Sequence, residues 1–117
     1  MKLSLDKYNL VAKELLGSRL KLIFEDKYEM DEKRVLELID VIAFFDRTSE
    51  NTEVRALKID NDGNGTYKFD VAALLDQPEI SDYSEVFLFS DAEGIGFVFR
   101  GLARQVNFRP FEKQDGA

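Results

Sequence analysis

Two pairs of acidic residues are spaced for contact with a basic protein surface. Asp60 and Asp62 form one pair, and Asp91 and Glu93 form the other. In extended backbone, side chains two residues apart point to the same side and lie about 6.5–7 Å apart. This is comparable with the separation of neighbouring phosphates on one DNA strand, whose axial step is about 3.4 Å. Both pairs lie at predicted turns, so we expect their carboxylates to face outward as phosphates do.

More acidic residues follow in the same region at intervals of three. Residues 69–99 contain seven acidic residues and no Lys or Arg. A row of carboxylates here could enter a basic groove, although turns also favour Asp for local reasons. The predicted partner-binding set comprises Asp60, Asp62, Asp76, Glu79, Asp82, Glu85, Asp91 and Glu93. Another acidic stretch, residues 25–32, is assigned mainly to capping a following helix, with spare carboxylates for a partner.

The stretch DNDGNG at residues 60–65 matches the opening of a calcium-binding loop. Oxygen ligands at alternate positions can surround a hard cation, and Gly permits the sharp bend. The loop does not close, because its ninth position is Lys68 and its twelfth, where a bidentate Glu is needed, is Val71. Gly and Asn also suit the positive φ angles of a hairpin turn. We therefore predict a turn without bound metal.

The net charge of -7 is concentrated in the middle of the chain. Residues 1–34 carry a net charge of +1, residues 35–99 one of -10, and residues 100–117 one of +2. Phosphate groups need a basic surface, so this distribution argues against direct binding to nucleic acid or to an anionic membrane. It favours a basic protein as the partner.

Catalysis and cofactor binding find little support in the sequence. The 117 residues contain no Cys and no His, which removes cysteine nucleophiles, the commonest general base and the commonest transition-metal ligand. A carboxylate pair could hydrolyse a glycoside, but a chain this short has little room for a sugar cleft. We expect no enzyme activity, no cofactor and no metal. Nothing resembles a signal peptide or a membrane span, so we expect a cytoplasmic protein.

The first half of the chain shows helical spacing of apolar residues. Residues 6–16 fit an amphipathic helix that begins after Ser4 and ends at Gly17. A second, longer helix is predicted from Asp31 through Phe45, with Met30 and Val35 as a hydrophobic staple. Its apolar stripe comprises Val35, Leu38, Ile39, Ile42 and Phe45. Residues 19–24 fit either a strand or a helix.

The second half shows the alternation of strands. Strands are predicted over residues 54–59, 66–69, 83–89, 95–100 and 104–108, with a short helix over residues 71–75. Helices followed by strands indicate an α+β fold, in which N-terminal helices pack on an antiparallel sheet of about four to five strands. The length of 117 residues fits a single domain over residues 1–117.

Acidity, length and this order of elements give the chain a resemblance to a known group of proteins. The likeness includes the stretches KLIFEDKYEMDEKRVLELIDVIAFFDRTSE and KIDNDGNGTYKFD. The chain resembles the small neisserial DNA-mimic proteins that bind the histone-like nucleoid protein HU. The resemblance implies a monomer that occupies the DNA-binding surface of HU and competes with DNA. It assigns no individual residue.

Two other classes of function fit the same composition. The first is an immunity protein or antitoxin that blocks a basic nuclease toxin, which would be acidic for the same electrostatic reason. The second is a calcium-dependent module or small hydrolase, which ranks below both inhibitor functions because of the incomplete loop and the absence of His.

Overall fold

Extended backbone forms almost all of the regular structure. The computed structural model describes residues 2–29, 31–48, 52–60, 83–90 and 96–113. Within these ranges the strands are β1 (Lys2–Ser4), β2 (Tyr8–Leu16), β3 (Arg19–Asp26), β4 (Lys33–Asp46), β5 (Thr52–Glu53), β6 (Ala56–Asp60), β7 (Ser84–Phe89) and β8 (Phe97–Pro110). They form one antiparallel sheet, in the order β1-β6-β7-β8-β4-β3-β2-β5.

The sheet closes on itself where β1 runs into β2. These two strands are separated by three residues in the chain but by six strand positions in the sheet. A flat sheet would place them about 29 Å apart, at about 4.8 Å per strand, whereas so short a connection spans about 14 Å at most. The Leu5 N–H donates to the Arg55 carbonyl at 2.8 Å, which joins the β1–β6 pairing to the β2–β5 pairing. The sheet therefore curls until its two ends meet.

The interior of this closed sheet holds the hydrophobic core. Leu20, Leu22 and Phe24 alternate along β3, and Leu36 and Leu38 do so along β4. The opposite wall contributes Leu57, Ile59, Val86, Leu88 and Phe99. Burial of these side chains supplies the main favourable free energy of folding.

Close packing inside the sheet explains why residue 101 is a glycine. A Cβ atom added to Gly101 of β8 would lie 3.1 Å from Leu38 Cδ2 and 3.1 Å from Phe99 Cε1. Both distances are shorter than ordinary carbon–carbon contacts. Gly101 therefore lets β8 approach the interior without displacing its neighbours.

The α+β prediction is wrong, because β4 occupies the segment that was expected to be the long helix. Val35, Leu36, Glu37 and Leu38 are all buried, so both faces of the strand are covered and no alternation is visible. The register of β4 then shifts between Val41 and Ala43. Burial on both faces over residues 35–38, together with the later change in side-chain phase, produces the spacing of three and four that imitates a helix.

The N-terminal helix is also wrong, for the same kind of reason. Residues 8–16 form β2, whose register against β3 shifts between Leu10 and Ala12. Gly17 does not end a helix but has φ +61° in the turn between β2 and β3. Residues 19–24 lie in β3, which resolves their ambiguity in favour of a strand.

The later strands are closer to the prediction. The expected strand over residues 83–89 corresponds to β7, and most of residues 54–59 corresponds to β6. The two strands expected over residues 95–100 and 104–108 are one continuous strand, β8, which ends at Pro110. The predicted strand at 66–69, the helix at 71–75 and nearly all of the turn at 60–65 lie outside the described residues. In the described ranges no helix is long and apolar enough to cross a membrane.

Candidate functional site

Two of the eight predicted partner-binding acids lie in the described part of the chain. Asp60 is the last residue of β6, and Glu85 lies in β7. The other six lie outside the described residues: Asp62, Asp76, Glu79, Asp82, Asp91 and Glu93. The predicted row of carboxylates can therefore be compared with the structure only at this pair.

Asp60 and Glu85 are directly opposite each other on neighbouring antiparallel strands. Only 2% of Glu85 is exposed, and its Oε2 atom lies 3.7 Å from Arg100 Nη2 of β8. Asp60 is half-buried. Glu85 is thus buried in an ion pair with Arg100, so its expected exposure is wrong, while its predicted role in partner binding stays a prediction.

Arg100 belongs to a row of cationic and aromatic residues across the outer face of the sheet. The row runs through Lys58 of β6, Phe87 of β7, Arg100 of β8 and Phe45 of β4, which are register partners. The Arg100 guanidinium lies 4.7 Å from the Phe87 ring centre, and Lys58 Nζ lies 5.8 Å from it. These cation–π contacts hold the Arg100 side chain beside Glu85.

Most acidic side chains of the strands are also paired with cations of this chain. Asp46 contacts Lys13 at 2.5 Å, Glu53 contacts Lys27 at 3.0 Å, and the buried Glu37 lies 3.5 Å from Arg109. These partners are distant in sequence and are brought together by strand pairing. The carboxylates of the sheet are therefore largely neutralised within the molecule.

The contacts of three carboxyl groups lower their pKa values. At Asp46, partial burial raises the pKa, but the hydrogen bonds from Lys13 and Thr48 outweigh this effect and hold the pKa below its usual value. The hydrogen bond from Lys27 lowers the pKa of Glu53. The backbone N–H groups of Tyr28 and Glu29 lower the pKa of Asp26. All three groups are held in the ionised form.

The acidic excess lies outside the described strands. The described residues contain fifteen Lys and Arg against fourteen Asp and Glu, a net charge of +1. The remaining residues contain one Lys and nine acids, a net charge of -8. Most of these acids belong to residues 61–82, which connect β6 to β7, and residues 91–95, which connect β7 to β8.

One group of exposed carboxylates lies within the described residues, in the connection between β3 and β4. Glu29, Asp31 and Glu32 are exposed, and among the described residues none of the three has an ion pair. The neighbouring cations are engaged elsewhere, Lys27 with Glu53 and Lys33 near Glu25. We call Glu29, Asp31 and Glu32 the acidic turn.

The acidic turn is shaped by the buried Asp26. Its Oδ1 atom accepts hydrogen bonds from the Tyr28 N–H at 2.8 Å and the Glu29 N–H at 3.1 Å. The Asp26 N–H donates to the Glu32 carbonyl at 3.0 Å, which closes the turn. The acids that were assigned to helix capping therefore stabilise a strand connection, and three of them remain exposed.

Metal ligation finds no geometric basis in the described ranges. No group of three or more acidic side chains there could hold a metal ion. The predicted calcium-like loop at residues 60–65 lies outside them apart from Asp60. The expectation of a protein without metal therefore stays a prediction.

Comparison with known proteins informs the fold alone. No protein-family model matches this chain, and no curated protein matches it either. Among solved structures, the chain is similar to the crystal structure of an uncharacterized protein from Neisseria gonorrhoeae. The TM-score is 0.50 and the sequence identity is 18%, over 95% of this chain and 99% of the other.

Proposed function

We propose that this chain is an acidic DNA mimic that binds the DNA-binding surface of a basic nucleoid protein of the HU type and competes with DNA. The observation that supports the proposal is the separation of charge between the strands and their connections. The strands neutralise their own carboxylates, whereas the acidic turn and the connections on either side of β7 carry acids in excess of bases.

This separation suits electrostatic recognition. Regions with an excess of carboxylates attract a basic surface and orient it before contact. Neutralised strand faces keep the cations of this chain from repelling the partner. Exposed charges are screened over about 8 Å at physiological ionic strength, so the affinity should fall steeply as salt is added.

The experiment is a competition between this protein and DNA for purified HU. Labelled DNA bound to HU is titrated with the protein at low and at high salt, and the fluorescence anisotropy of the DNA is followed. We expect the DNA to be released at low salt and much less at high salt. The proposal fails if HU retains its DNA at every protein concentration at low salt.

Two charge-matched variants examine the acidic turn. The variant D31N/E32Q removes two exposed charges from it, and E14Q/D40N removes two exposed charges elsewhere. An exposed ion pair contributes about 0.5–1 kcal/mol, so D31N/E32Q should weaken HU binding by about fivefold or more, and the control should change it little. Equal effects of the two variants would show that the acidic turn has no specific role.

The same competition assay is repeated with the variants D60N/D62N and D91N/E93Q, which neutralise the two predicted acid pairs.

A different experiment distinguishes the DNA mimic from the toxin inhibitor. A pull-down from native cell extract at low salt should recover a DNA-packaging protein. Recovery of a basic nuclease, with no displacement of DNA from HU, would replace the DNA-mimic proposal with an immunity function.

A further inference from the structure

Cationic and aromatic side chains alternate in one line across the outer face of the sheet. Strand register places one residue from each of five neighbouring strands in this line: Lys2, Lys58, Phe87, Arg100 and Phe45. We call these five residues the cationic–aromatic row. At about 4.8 Å per strand, the row extends over about 19 Å. It contains three cations and two aromatic rings, and none of its members is acidic.

The next line of residues on the same face adds two further aromatic rings. It consists of Ser4, Ala56, Phe89 and Phe97. The Phe89 ring stacks on Phe87 with 5.9 Å between ring centres, and the Phe97 ring meets Phe45 edge to face at 6.1 Å. The Arg100 guanidinium lies 5.7 Å from the centre of the Phe97 ring. The four rings and the guanidinium therefore form one continuous surface.

The two ends of the cationic–aromatic row are exposed. Phe45 is 48% exposed at one end, and Lys58 and Lys2 are exposed at the other. Within the described residues Lys58 forms no ion pair. A cleft of about 340 Å³ adjoins the Lys2 end, and its lining includes Arg55 as well as Asp6. Accessible positive charge and accessible aromatic surface thus lie along the same line.

Single-stranded DNA combines the two chemistries that this line offers. Its phosphates bind Lys and Arg, and its unpaired bases stack on aromatic rings and guanidinium planes. Duplex DNA keeps its bases stacked on one another, so rings on a sheet face cannot reach them. The outer face of a closed sheet is also convex, which prevents it from entering a groove of the duplex.

An anionic membrane is a poorer match for the same surface. Membrane-bound segments also combine cations with aromatic rings, but their apolar groups must project beyond the cations to enter the lipid. In the cationic–aromatic row, Arg100 lies between the two rings, and Phe87 is partly buried. The rings are therefore placed for stacking within the surface and not for insertion.

We propose that the cationic–aromatic row binds single-stranded DNA. Bases would stack on Phe45 and on the Arg100 guanidinium, and phosphates would contact Lys58 and Lys2. At about 3.4 Å per stacked nucleotide the row accommodates about six nucleotides, which fits the site size of small β domains. Ser4 supplies the one hydroxyl of the two lines, and it donates to Asp6 at 3.1 Å, so this surface lacks a contact that would select the 2′-hydroxyl of RNA.

This inference differs from the expectation drawn from the sequence. The distribution of charge along the chain argues against nucleic acid, but strand register gathers cations that are far apart in the chain. Among the described residues, the adjoining line on the other side contains two acids, and one of them, Glu85, is buried beside Arg100. More distant carboxylates are screened over about 8 Å at physiological ionic strength. The net charge of -7 therefore weakens such binding without preventing it.

The test is a direct titration without HU. A fluorescein-labelled oligothymidylate of about twelve nucleotides is titrated with about 1–200 µM protein at about 0.15 M salt, and its anisotropy is followed. We expect the anisotropy to rise to saturation. The same oligonucleotide annealed to its complement should bind about tenfold more weakly, because its bases are inaccessible. An oligouridylate of the same length should bind no more tightly than the oligothymidylate.

Matched variants separate stacking from charge. Phe45→Ala should weaken binding by about fivefold or more, the effect of losing one stacked base, and should leave the salt dependence unchanged. Lys58→Gln should reduce the slope of log affinity against log salt by about 0.7, the effect of losing one phosphate contact. The controls Tyr28→Ala and Lys113→Gln change an exposed ring and an exposed cation near the opposite end of the sheet, and neither should alter binding. All four positions are exposed, so circular dichroism and melting temperature should confirm that the variants fold.

Several results would overturn the proposal. An unchanged anisotropy at every protein concentration would do so, as would equal affinity for single strand and duplex, or equal weakening by Phe45→Ala and Tyr28→Ala. Tighter binding of oligouridylate by about tenfold would replace DNA with RNA. Sedimentation with phosphatidylglycerol vesicles, without binding to the oligonucleotide, would make the row a membrane-binding surface. The competition for HU is run with duplex DNA, so this proposal and the DNA-mimic proposal can fail independently.

Discussion

Replacement of Arg100 by Met examines the internal ion pair that the strand register creates. Arg100 lies 3.7 Å from the buried Glu85 and over the ring of Phe87. Met preserves much of the apolar stem, which can still contact the ring, but removes the charge. The substitution therefore isolates the electrostatic part of the interaction.

The cost can be worked out from the burial of Glu85. Loss of one partner of a buried ion pair costs about 3–5 kcal/mol, because the remaining carboxylate stays buried and loses its cation. The closest N···O distance of 3.7 Å exceeds a hydrogen-bond length, so we expect about 3 kcal/mol. For a chain of this length the unfolding entropy is about 0.25 kcal/mol/K, so the melting temperature should fall by about 12 °C.

Thermal denaturation followed by circular dichroism measures this change. The double variant R100M/E85Q should recover much of the loss, because position 85 then carries no buried charge. The control R55M removes an arginine that is half exposed and lies 3.8 Å from the exposed Glu53, and it should cost less than about 1 kcal/mol. If R100M melts no lower than R55M, Glu85 does not depend on Arg100 and our account of the outer face is refuted.

Three further outcomes concern the turns and the core. The N–H groups of Tyr28 and Glu29 lower the pKa of Asp26 in the folded state, so the stability that Asp26 provides is present above its usual pKa of 3.8 and is lost as pH falls through the lowered value. Urea denaturation at about pH 6 and about pH 3 should show this loss, and D26N should reduce the difference, leaving the part that Asp46 and Glu53 contribute through their own lowered pKa values. Gly101→Ala should lower the free energy of unfolding by about 1–3 kcal/mol, measured in urea, since its Cβ would crowd Leu38 and Phe99. Gly17→Ala should cost about 1 kcal/mol in the same assay, because φ is +61° and the space around it is open; an unchanged midpoint would contradict this.

β6 and β7 are the strands predicted close to their observed positions. β6 has one buried and one less buried face over most of its length, whereas β7 has buried residues on both faces but is rich in the β-branched and aromatic residues that favour strands. β2 and β4 were predicted as helices because each contains a register shift, and because β4 is buried on both faces over residues 35–38. Burial on two faces depends on partners elsewhere in the chain, so no local pattern reveals it.

The ion pairs that neutralise the acids could not be predicted from the sequence, for a related reason. Glu85 and Arg100 are fifteen residues apart, and Lys13 and Asp46 are thirty-three apart. Either pair can be predicted only when the strand order and the register are known. The spare carboxylates of residues 25–32 were noticed from composition alone, but their exposure follows from the turn that Asp26 closes and not from the helix that was expected.

β8, the last strand in the described residues, occupies an internal position in the sheet, and this affects how the protein is made. β8 pairs with β4 on one side and with β7 on the other. Until residues 97–110 have left the ribosome, β4 and β7 each lack this neighbour and have unpaired backbone groups. Open strand edges of this kind pair readily with other chains. Folding of the closed sheet therefore waits for β8, and a nascent chain that stalls before this strand is an aggregation hazard.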